Sequence, residues 1–141
     1  YPHLMQDVNV AVVATELTLA SARDTIRLLA WLKQNAPHCK TLVVANNVQA
    51  TAIEITRKDF ESTIERKIDL SLPADPKATA QAAKVGQPLV QAVQGSKVST
   101  GILTLAEMIA GTAAETAEAE PQDAKAKKSM LGGFKSMLTK K

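Results

Sequence analysis

Along residues 1–110, short apolar runs alternate with stretches in which apolar positions recur at helical spacing. The runs Val8–Ala14 and Thr41–Ala45 and the weaker run Ile68–Leu72 predict three strands. Runs of this kind, rich in β-branched residues, suit strands that are covered on both faces. Because helical connections join them, we expect a parallel sheet with right-handed crossovers. The predicted fold class is α/β, with three parallel strands and flanking helices.

The first two predicted helices follow the first two strands. Apolar positions from Leu19 onward recur at i, i+3, i+7 and i+10, which predicts a helix that ends at about Gln34. Ser21, with an acidic residue three positions later, resembles a capping box for this helix. Thr56 predicts an N-cap for a second, shorter helix whose apolar side contains Phe60.

Two more helices are predicted after the third strand. Asp75 followed by Pro76 is a helix-start signal, because Asp caps the first free amides and Pro suits the first helical position. This helix is expected to end at Gly86. A last helix presents Ile102 and later apolar residues on one face and is expected to end at Gly111.

Two predicted strand ends carry candidate binding residues. In open parallel sheets, ligands bind beyond the carboxyl ends of the strands. The second strand is expected to end at the polar pair Asn46 and Asn47, and the third is followed by Pro73 and Asp75. Each candidate has a simpler alternative: Asn46 as an ordinary turn residue at a strand end, and Asp75 as a helix cap alone.

Composition adds an uneven distribution of charge. The chain has 141 residues, a net charge of +3 and one cysteine, which fits one domain plus a tail without a disulfide framework. Residues 1–110 carry 11 basic and 10 acidic side chains, a balance that does not indicate a specific nucleic-acid partner. Residues 111–124 carry four acids and no base, and residues 125–141 carry six lysines and no acid. We therefore predict a domain, an acidic flexible linker and a basic tail with these boundaries.

The tail, residues 125–141, has the pattern of an amphipathic helix, which is typical of a segment that lies on an anionic membrane surface. Docking in the groove of a partner protein and the absence of any specific role are the alternatives. Attachment is expected to be weak, because the pair Gly132–Gly133 lowers helix propensity. No apolar run approaches the roughly 20 residues of a membrane span. The predicted contact residues are Met130, Leu131, Phe134, Met137 and Leu138 with Lys127, Lys128 and Lys135.

Four motifs occur in the order found in one protein family. They are Asp7–Glu16 with the helix that follows, Leu42–Val48 with its Asn pair, Leu72–Lys77 with its Pro-x-Asp sequence, and Ala82–Leu89 with its Gly-x-Pro sequence. In this order they resemble the region after the Walker B segment in MinD/ParA-type deviant Walker A ATPases, within residues 4–110. The resemblance is strongest to the CpaE/TadZ branch, the pilus-assembly and polar-localisation proteins of Tad (Flp) systems.

The resemblance implies the C-terminal half of a P-loop NTPase domain that binds ATP and dimerises around it. In that family the phosphates and Mg²⁺ are held by N-terminal motifs, and this sequence, which begins at Tyr1, has no Gly-rich Lys-Ser/Thr loop. The chain alone is therefore expected to be inactive as an ATPase. Asn46 matches the family's adenine-contacting Asn, and Pro73 and Asp75 match the segment that borders the base.

The resemblance also implies partners and a location. The partners are a second copy in a nucleotide-dependent homodimer, the pilus or secretion machinery and, through the tail, an anionic membrane surface. The implied location is cytoplasmic, peripheral at the inner membrane or at a cell pole. The sequence departs from the family where Asn47 replaces Arg, Leu17 replaces Pro and Lys84 replaces Asn. These departures keep two alternatives open: a scaffold of the same fold without hydrolysis, and an adaptor domain that shares only the α/β pattern.

Overall fold

The chain forms an α/β domain with a three-stranded parallel sheet in a computed structural model that describes residues 5–49 and 54–118. The strands are β1 (Val10–Thr15), β2 (Lys40–Val48) and β3 (Leu70–Pro73), in the spatial order β1-β2-β3. The helices are α1 (Leu19–Asn35), α2 (Arg57–Thr63), α3 (Pro76–Val85), α4 (Leu89–Ala92) and α5 (Lys97–Glu118). Both strand pairs are parallel, which confirms the predicted fold class.

Different helices cover the two faces of the sheet. Successive residues of a strand point to opposite faces, so Val43 and Val44 of β2 belong to separate hydrophobic clusters. Val43 packs with residues of α1 and α2, among them the fully buried Phe60. Val44 packs with Ala78 of α3 and Val98 of α5. The crossover helices α1 and α2 therefore lie on one face, and α3, α4 and α5 lie on the other.

Helix α1 begins earlier than its sequence predicted. The N-cap is Thr18, whose Oγ1 accepts a hydrogen bond from the Ser21 backbone N–H at 3.1 Å, so the proposed cap at Ser21 is wrong. Ser21 lies inside the first turn, and its hydroxyl accepts from the Thr18 hydroxyl at 2.9 Å. The sequence pattern singles out Ser21, although a Thr three residues earlier satisfies a free amide of the first turn equally well.

The other predicted helix caps are confirmed. Thr56 caps α2 by accepting from the Asp59 backbone N–H at 3.2 Å. Asp75 caps α3, and its Oδ1 accepts from the Ala78 backbone N–H at 2.9 Å. Gly86 ends α3 with a φ of 65°, a left-handed conformation that costs glycine little.

The last helix is longer than predicted. It was expected to end at Gly111, but α5 continues to Glu118, so residues 111–118 of the predicted linker are helical. A single glycine costs a helix only about 1 kcal/mol, and the residues that follow are rich in the helix formers Ala and Glu. The short helix α4 was not predicted either. Residues 119–124 of the linker and the tail, 125–141, lie outside the described residues.

The side chain of Glu61 ties α2 to the start of β3. It is only 10% exposed and accepts hydrogen bonds from the Ile68 backbone N–H at 2.9 Å, from Arg57 Nε at 3.0 Å and from Lys67 Nζ at 3.0 Å. The bond from Ile68, followed by those from Lys67 and Arg57, lowers the pKa of Glu61 from its usual 4.5 to about 2. Arg57 also donates to the Ile68 carbonyl at 2.7 Å, so both side chains hold the same connection.

Candidate functional site

The carboxyl ends of all three strands meet at one edge of the sheet, because the strands are parallel. We call this the carboxyl edge. It consists of Thr15 at the end of β1 with Glu16 just after it, Asn46 and Asn47 in β2, and the segment 73–75, which begins with the last residue of β3. Two of the three predicted binding positions, Asn46 and Pro73, lie within strands here, and Asp75 lies at the start of α3.

Strand β2 does not end at the Asn pair. It continues to Val48, and its pairing with β3 is irregular between Ala45 and Val48, as in a β-bulge. Asn47 has a φ of 55°, a left-handed conformation that Asn adopts more readily than most residues. Bulges re-aim neighbouring side chains, and Asn46, just before this left-handed residue, is exposed at the carboxyl edge.

Asn47 has a contact of its own. Its Nδ2 donates to Glu16 Oε1 at 3.4 Å, which links the end of β2 to the end of β1. The sequence indicated only that Asn replaces an expected Arg at this position. The backbone role was missed, although an Asn at a strand end is a recognised signal for a left-handed residue.

A cleft of about 400 Å³ lies at the end of β1. Its walls are formed by the end of β1, by one side of α1 and by a single residue of β2. Thr25 Oγ1 donates to Thr15 Oγ1 at 3.0 Å, which fixes α1 to the strand beside the cleft. The lining residues are Val13, Ala14, Thr15 and Glu16, then Ser21, Asp24, Thr25 and Leu28, and finally Asn46. The predicted Asn46 therefore lies beside a cleft and not in the packed interior.

Pro73 and Asp75 lie on the other side of β2. Pro73 pairs with Val48, and the Ala74 backbone N–H donates to the Val48 carbonyl at 3.0 Å. Pro73 is therefore fixed to β2 two residues beyond Asn46. Neither Pro73 nor Asp75 lines the cleft, and the carboxylate of Asp75 caps α3. The structure brings Asn46 and Pro73 onto neighbouring strands. Asp75 has the role of a helix cap, which is the simpler alternative that its sequence position offered.

The polar groups of the cleft can recognise a ligand by hydrogen bonds. They are the amide of Asn46, the carboxylates of Glu16 and Asp24, and hydroxyls that include Ser21. Sequence reasoning did not select the residues of β1 and α1, because only packing of α1 against β1 brings them together. Within residues 5–49 and 54–118, no three His, Cys, Asp or Glu side chains form a group that can hold a metal ion.

The only cysteine of the chain, Cys39, plays no part in this site. It is buried at the amino end of β2, and burial raises the pKa of its thiol. Over the part of the chain that the structure describes, no helix has the length and apolar character that crossing a membrane requires.

Comparison with protein-family models and with curated proteins gives no match to this sequence. Comparison with solved structures gives several. The ParA family ATPase from Chlorobium tepidum superposes with a TM-score of 0.67 at 22% identity, over 75% of this chain and 44% of that chain. The cell division ATPase MinD from Pyrococcus furiosus superposes with a TM-score of 0.60 at 24% identity, over 73% of this chain and 43% of that chain.

A third match is the septum site-determining protein MinD from Pyrococcus horikoshii, a complex with Mg-ADP. Its TM-score is 0.60 at 19% identity, and the match covers 72% of this chain and 41% of that chain. The chain thus spans less than half the length of each of these structures. At these identities the similarity concerns the fold: the described residues have a partial α/β fold of the ParA/MinD ATPase type.

Proposed function

We propose that this chain is the C-terminal portion of a MinD/ParA-like ATPase in which Asn46 binds the adenine of ATP. The observation that carries the proposal is the exposed side chain of Asn46, which lines a cleft at the carboxyl edge of a parallel sheet. The similarity in fold to ATPases, one of them a complex with Mg-ADP, supports it. Pro73 and Asp75 are proposed to border the base from the side of β3.

The chemistry of Asn46 fits a purine. Its amide nitrogen donates two hydrogen bonds and its amide oxygen accepts, which matches an adenine edge that presents both an amino group and a ring nitrogen. The neighbouring Asn47 amide already donates to Glu16, whereas Asn46 faces the cleft. The described residues therefore fit the base of ATP, and among them no three His, Cys, Asp or Glu side chains form a group that can hold a metal ion. We place the phosphate and Mg²⁺ contacts in polypeptide outside this sequence.

The test is a titration of ATP into the longer protein that contains this chain. Asn46→Ala is expected to weaken ATP binding by roughly tenfold or more, since a bidentate contact to a base contributes about 1–3 kcal/mol of discrimination. The loss should be smaller for GTP, whose base presents a different edge. Asn35→Ala is the matched control, because the Asn35 amide donates to the Trp31 carbonyl near the end of α1, at the opposite end of the helix from the cleft. Equal ATP affinity in the Asn46→Ala and unaltered proteins would reject the proposal.

The wider role that we propose is that of the CpaE/TadZ branch: pilus assembly and localisation through ATP-dependent dimerisation and positioning at a pole or membrane. The four motifs in order support it. The departure at Asn47, which is left-handed and bonded to Glu16, favours the alternative of a scaffold that does not hydrolyse ATP. Phosphate release measured in the same titration separates the two: the scaffold binds ATP without turnover.

The tail, residues 125–141, is proposed to attach the protein weakly to an anionic membrane surface. Its lysines and apolar residues at helical spacing support this, and the contact residues are those predicted from the sequence. Sedimentation with vesicles that contain anionic lipid is expected to carry down the intact protein and to lose it when residues 125–141 are removed. A protein that sediments equally without this segment is attached by something else.

A further inference from the structure

Helix α5 is fixed to the sheet along one side. Val98, Ile102 and Leu105 pack into the hydrophobic cluster on that face of the sheet. Gly101 lies so close to the sheet that a Cβ added to it would be 2.5 Å from Leu72 Cδ2. This close packing determines which residues of α5 face the sheet and which point away from it.

A second side of α5 is apolar and exposed. Leu103 is 37% exposed and Ile109 is 36% exposed, and Ala106 and Ala110 are exposed as well. Ala106 follows Leu103 by three positions, and the other two follow Ala106 by three and four positions. At this spacing the four residues share one side of a helix. We call Leu103, Ala106, Ile109 and Ala110 the outer stripe.

The charge pattern of α5 is that of a covered helix. Between residues 98 and 114, Glu107 is the one charged residue. Helix α1, which has 17 residues, has four charged residues: Arg23, Asp24, Arg27 and Lys33. A helix that is apolar around most of its circumference is normally buried. The outer stripe therefore has the properties of a surface on which another segment packs.

We propose that the tail, residues 125–141, covers the outer stripe as a helix antiparallel to α5. Helix α5 ends at Glu118, so the connection consists of residues 119–124, which include Pro121. Connections of about 2–8 residues join helices that are antiparallel neighbours. A proline in the connection suits a chain that leaves one helix and turns back.

The tail has the length that this contact requires. At about 1.5 Å per residue, α5 rises about 22 Å from residue 103 to its end, and a helical tail would rise about 25 Å. With residue 125 beside residue 118, Phe134 falls opposite Ile109 and Met137 falls opposite Ala106. The apolar side of the tail then covers the outer stripe. It consists of Met130, Leu131, Phe134, Met137 and Leu138.

The charges of the two segments are complementary. Residues 111–124 carry four acids and no base, and the tail carries six lysines and no acid. In an antiparallel pair the first lysines of the tail lie near the acidic end of α5, where opposite charges attract. The short connection also gives the tail an effective concentration in about the millimolar range. A contact that is weak between separate molecules is therefore populated within one chain.

Docking on α5 and attachment to a membrane exclude each other, because both bury the same apolar side chains of the tail. This consequence rests on the proposed function, in which the tail attaches the protein to an anionic surface. A docked tail is held off the membrane, and anionic lipid competes with the outer stripe for it. The contact with α5 thus sets how much lipid the attachment requires.

Amide exchange of the 141-residue chain without lipid tests the contact. The amides of the tail are expected to exchange at least about tenfold more slowly in the unaltered chain than in a double variant, Leu103→Gln with Ile109→Gln. The matched control is Ile26→Gln with Val85→Gln, because both side chains are exposed on other helices, and it should keep the slow exchange. Phe134→Ser alters only the tail and should also remove the protection. The amides of β2 report that the domain remains folded in each variant.

Two results overturn the proposal. One is a tail that exchanges equally in the unaltered chain and in the double variant at Leu103 and Ile109. The other is protection that disappears when the chain is diluted, because the tail then binds a second copy of the chain and not its own α5.

Sedimentation with vesicles of phosphatidylcholine and anionic phosphatidylglycerol tests the competition. The double variant at Leu103 and Ile109 is expected to sediment at a severalfold lower lipid concentration than the unaltered chain, because its tail is already free. The control variant at Ile26 and Val85 should sediment as the unaltered chain does. Equal sedimentation of the double variant and the unaltered chain overturns the competition.

The two experiments separate the docked tail from the membrane attachment. A chain whose tail is protected without lipid, but which never sediments with the vesicles, keeps the contact with α5 and rejects the attachment. A chain that sediments only when residues 125–141 are present, but whose tail exchanges equally in the unaltered chain and the double variant, has the opposite result.

Discussion

The two edges of the sheet differ in what stabilises them. On the β3 side, Glu61 and Arg57 fix the start of the strand, and Asp69 Oδ2 accepts from the Val43 backbone N–H at 2.7 Å. On the β1 side, the outer backbone groups have no strand partner among the described residues, and the side chains beside them are exposed. The β3 side contains its stabilising contacts within this chain.

This difference between the two sides of the sheet predicts that substitutions on them change the stability of the chain by different amounts. Substitutions of Glu61, Arg57 or Asp69 should destabilise the 141-residue chain by itself, because these side chains hydrogen-bond to backbone groups of the same chain. Substitutions of exposed side chains on the β1 side should have small effects in that chain. The predictions that follow test this contrast first with two aromatic residues and then with the ion pairs of the β3 side.

Phe60→Ala is expected to have the largest effect. Phe60 is fully buried in the cluster between α2 and the sheet, so its truncation should cost about 3–5 kcal/mol of unfolding free energy. Trp31→Ala removes an even larger ring, but Trp31 is 37% exposed on α1, and the expected cost in the 141-residue chain is at most about 2 kcal/mol. Urea denaturation of the two variants measures both values.

Equal losses in these two variants would contradict the contrast between the edges. The Phe60→Ala loss should be similar in this chain and in a longer protein that contains it, since the residues around Phe60 lie within this chain.

The sequence predicted the fold well where the governing chemistry is local. The caps at Thr56 and Asp75 and the end of α3 at Gly86 were predicted because each depends on a few adjacent residues. The end of α5 could not be predicted from Gly111, since a glycine lowers helix stability without ending a helix. The bulge after Ala45 depends on pairing with β3, which a sequence pattern does not contain.

The candidate site was predictable only in part. The rule that ligands bind at carboxyl ends selected Asn46, and the structure places it beside a cleft. The other polar groups there, such as Glu16 and Asp24, come together because α1 packs against β1, and their spacing along the chain does not reveal this. Asp75 was predictable as a helix cap. Its proposed second role, to border the adenine base of ATP, is tested by measuring ligand binding.

The smallest predicted effect concerns Glu61 and depends on pH. The pKa of Glu61 in the folded chain, about 2, lies below its usual 4.5, so the folded state binds its proton less readily than the unfolded chain does. Its stabilising contribution is therefore fully present above about pH 4.5 and is lost as the pH falls toward 2. Glu61→Gln removes the charge that Arg57 and Lys67 contact, and it should lower the melting temperature at pH 7 by several degrees.

The sign of the pH dependence distinguishes the loss of the Glu61 charge from a simple loss of packing. The difference in melting temperature between the unaltered chain and Glu61→Gln should shrink as the pH is lowered from 5 to about 2.5, because the unaltered carboxylate then becomes protonated on unfolding. Glu107→Gln, a substitution of an exposed glutamate on α5, is the control and should leave the melting temperature nearly unchanged at every pH. A difference that stays constant across this range would mean that the side chain of Glu61 acts by shape and neutral hydrogen bonds. The β3 edge would then be held without the contribution of its charges.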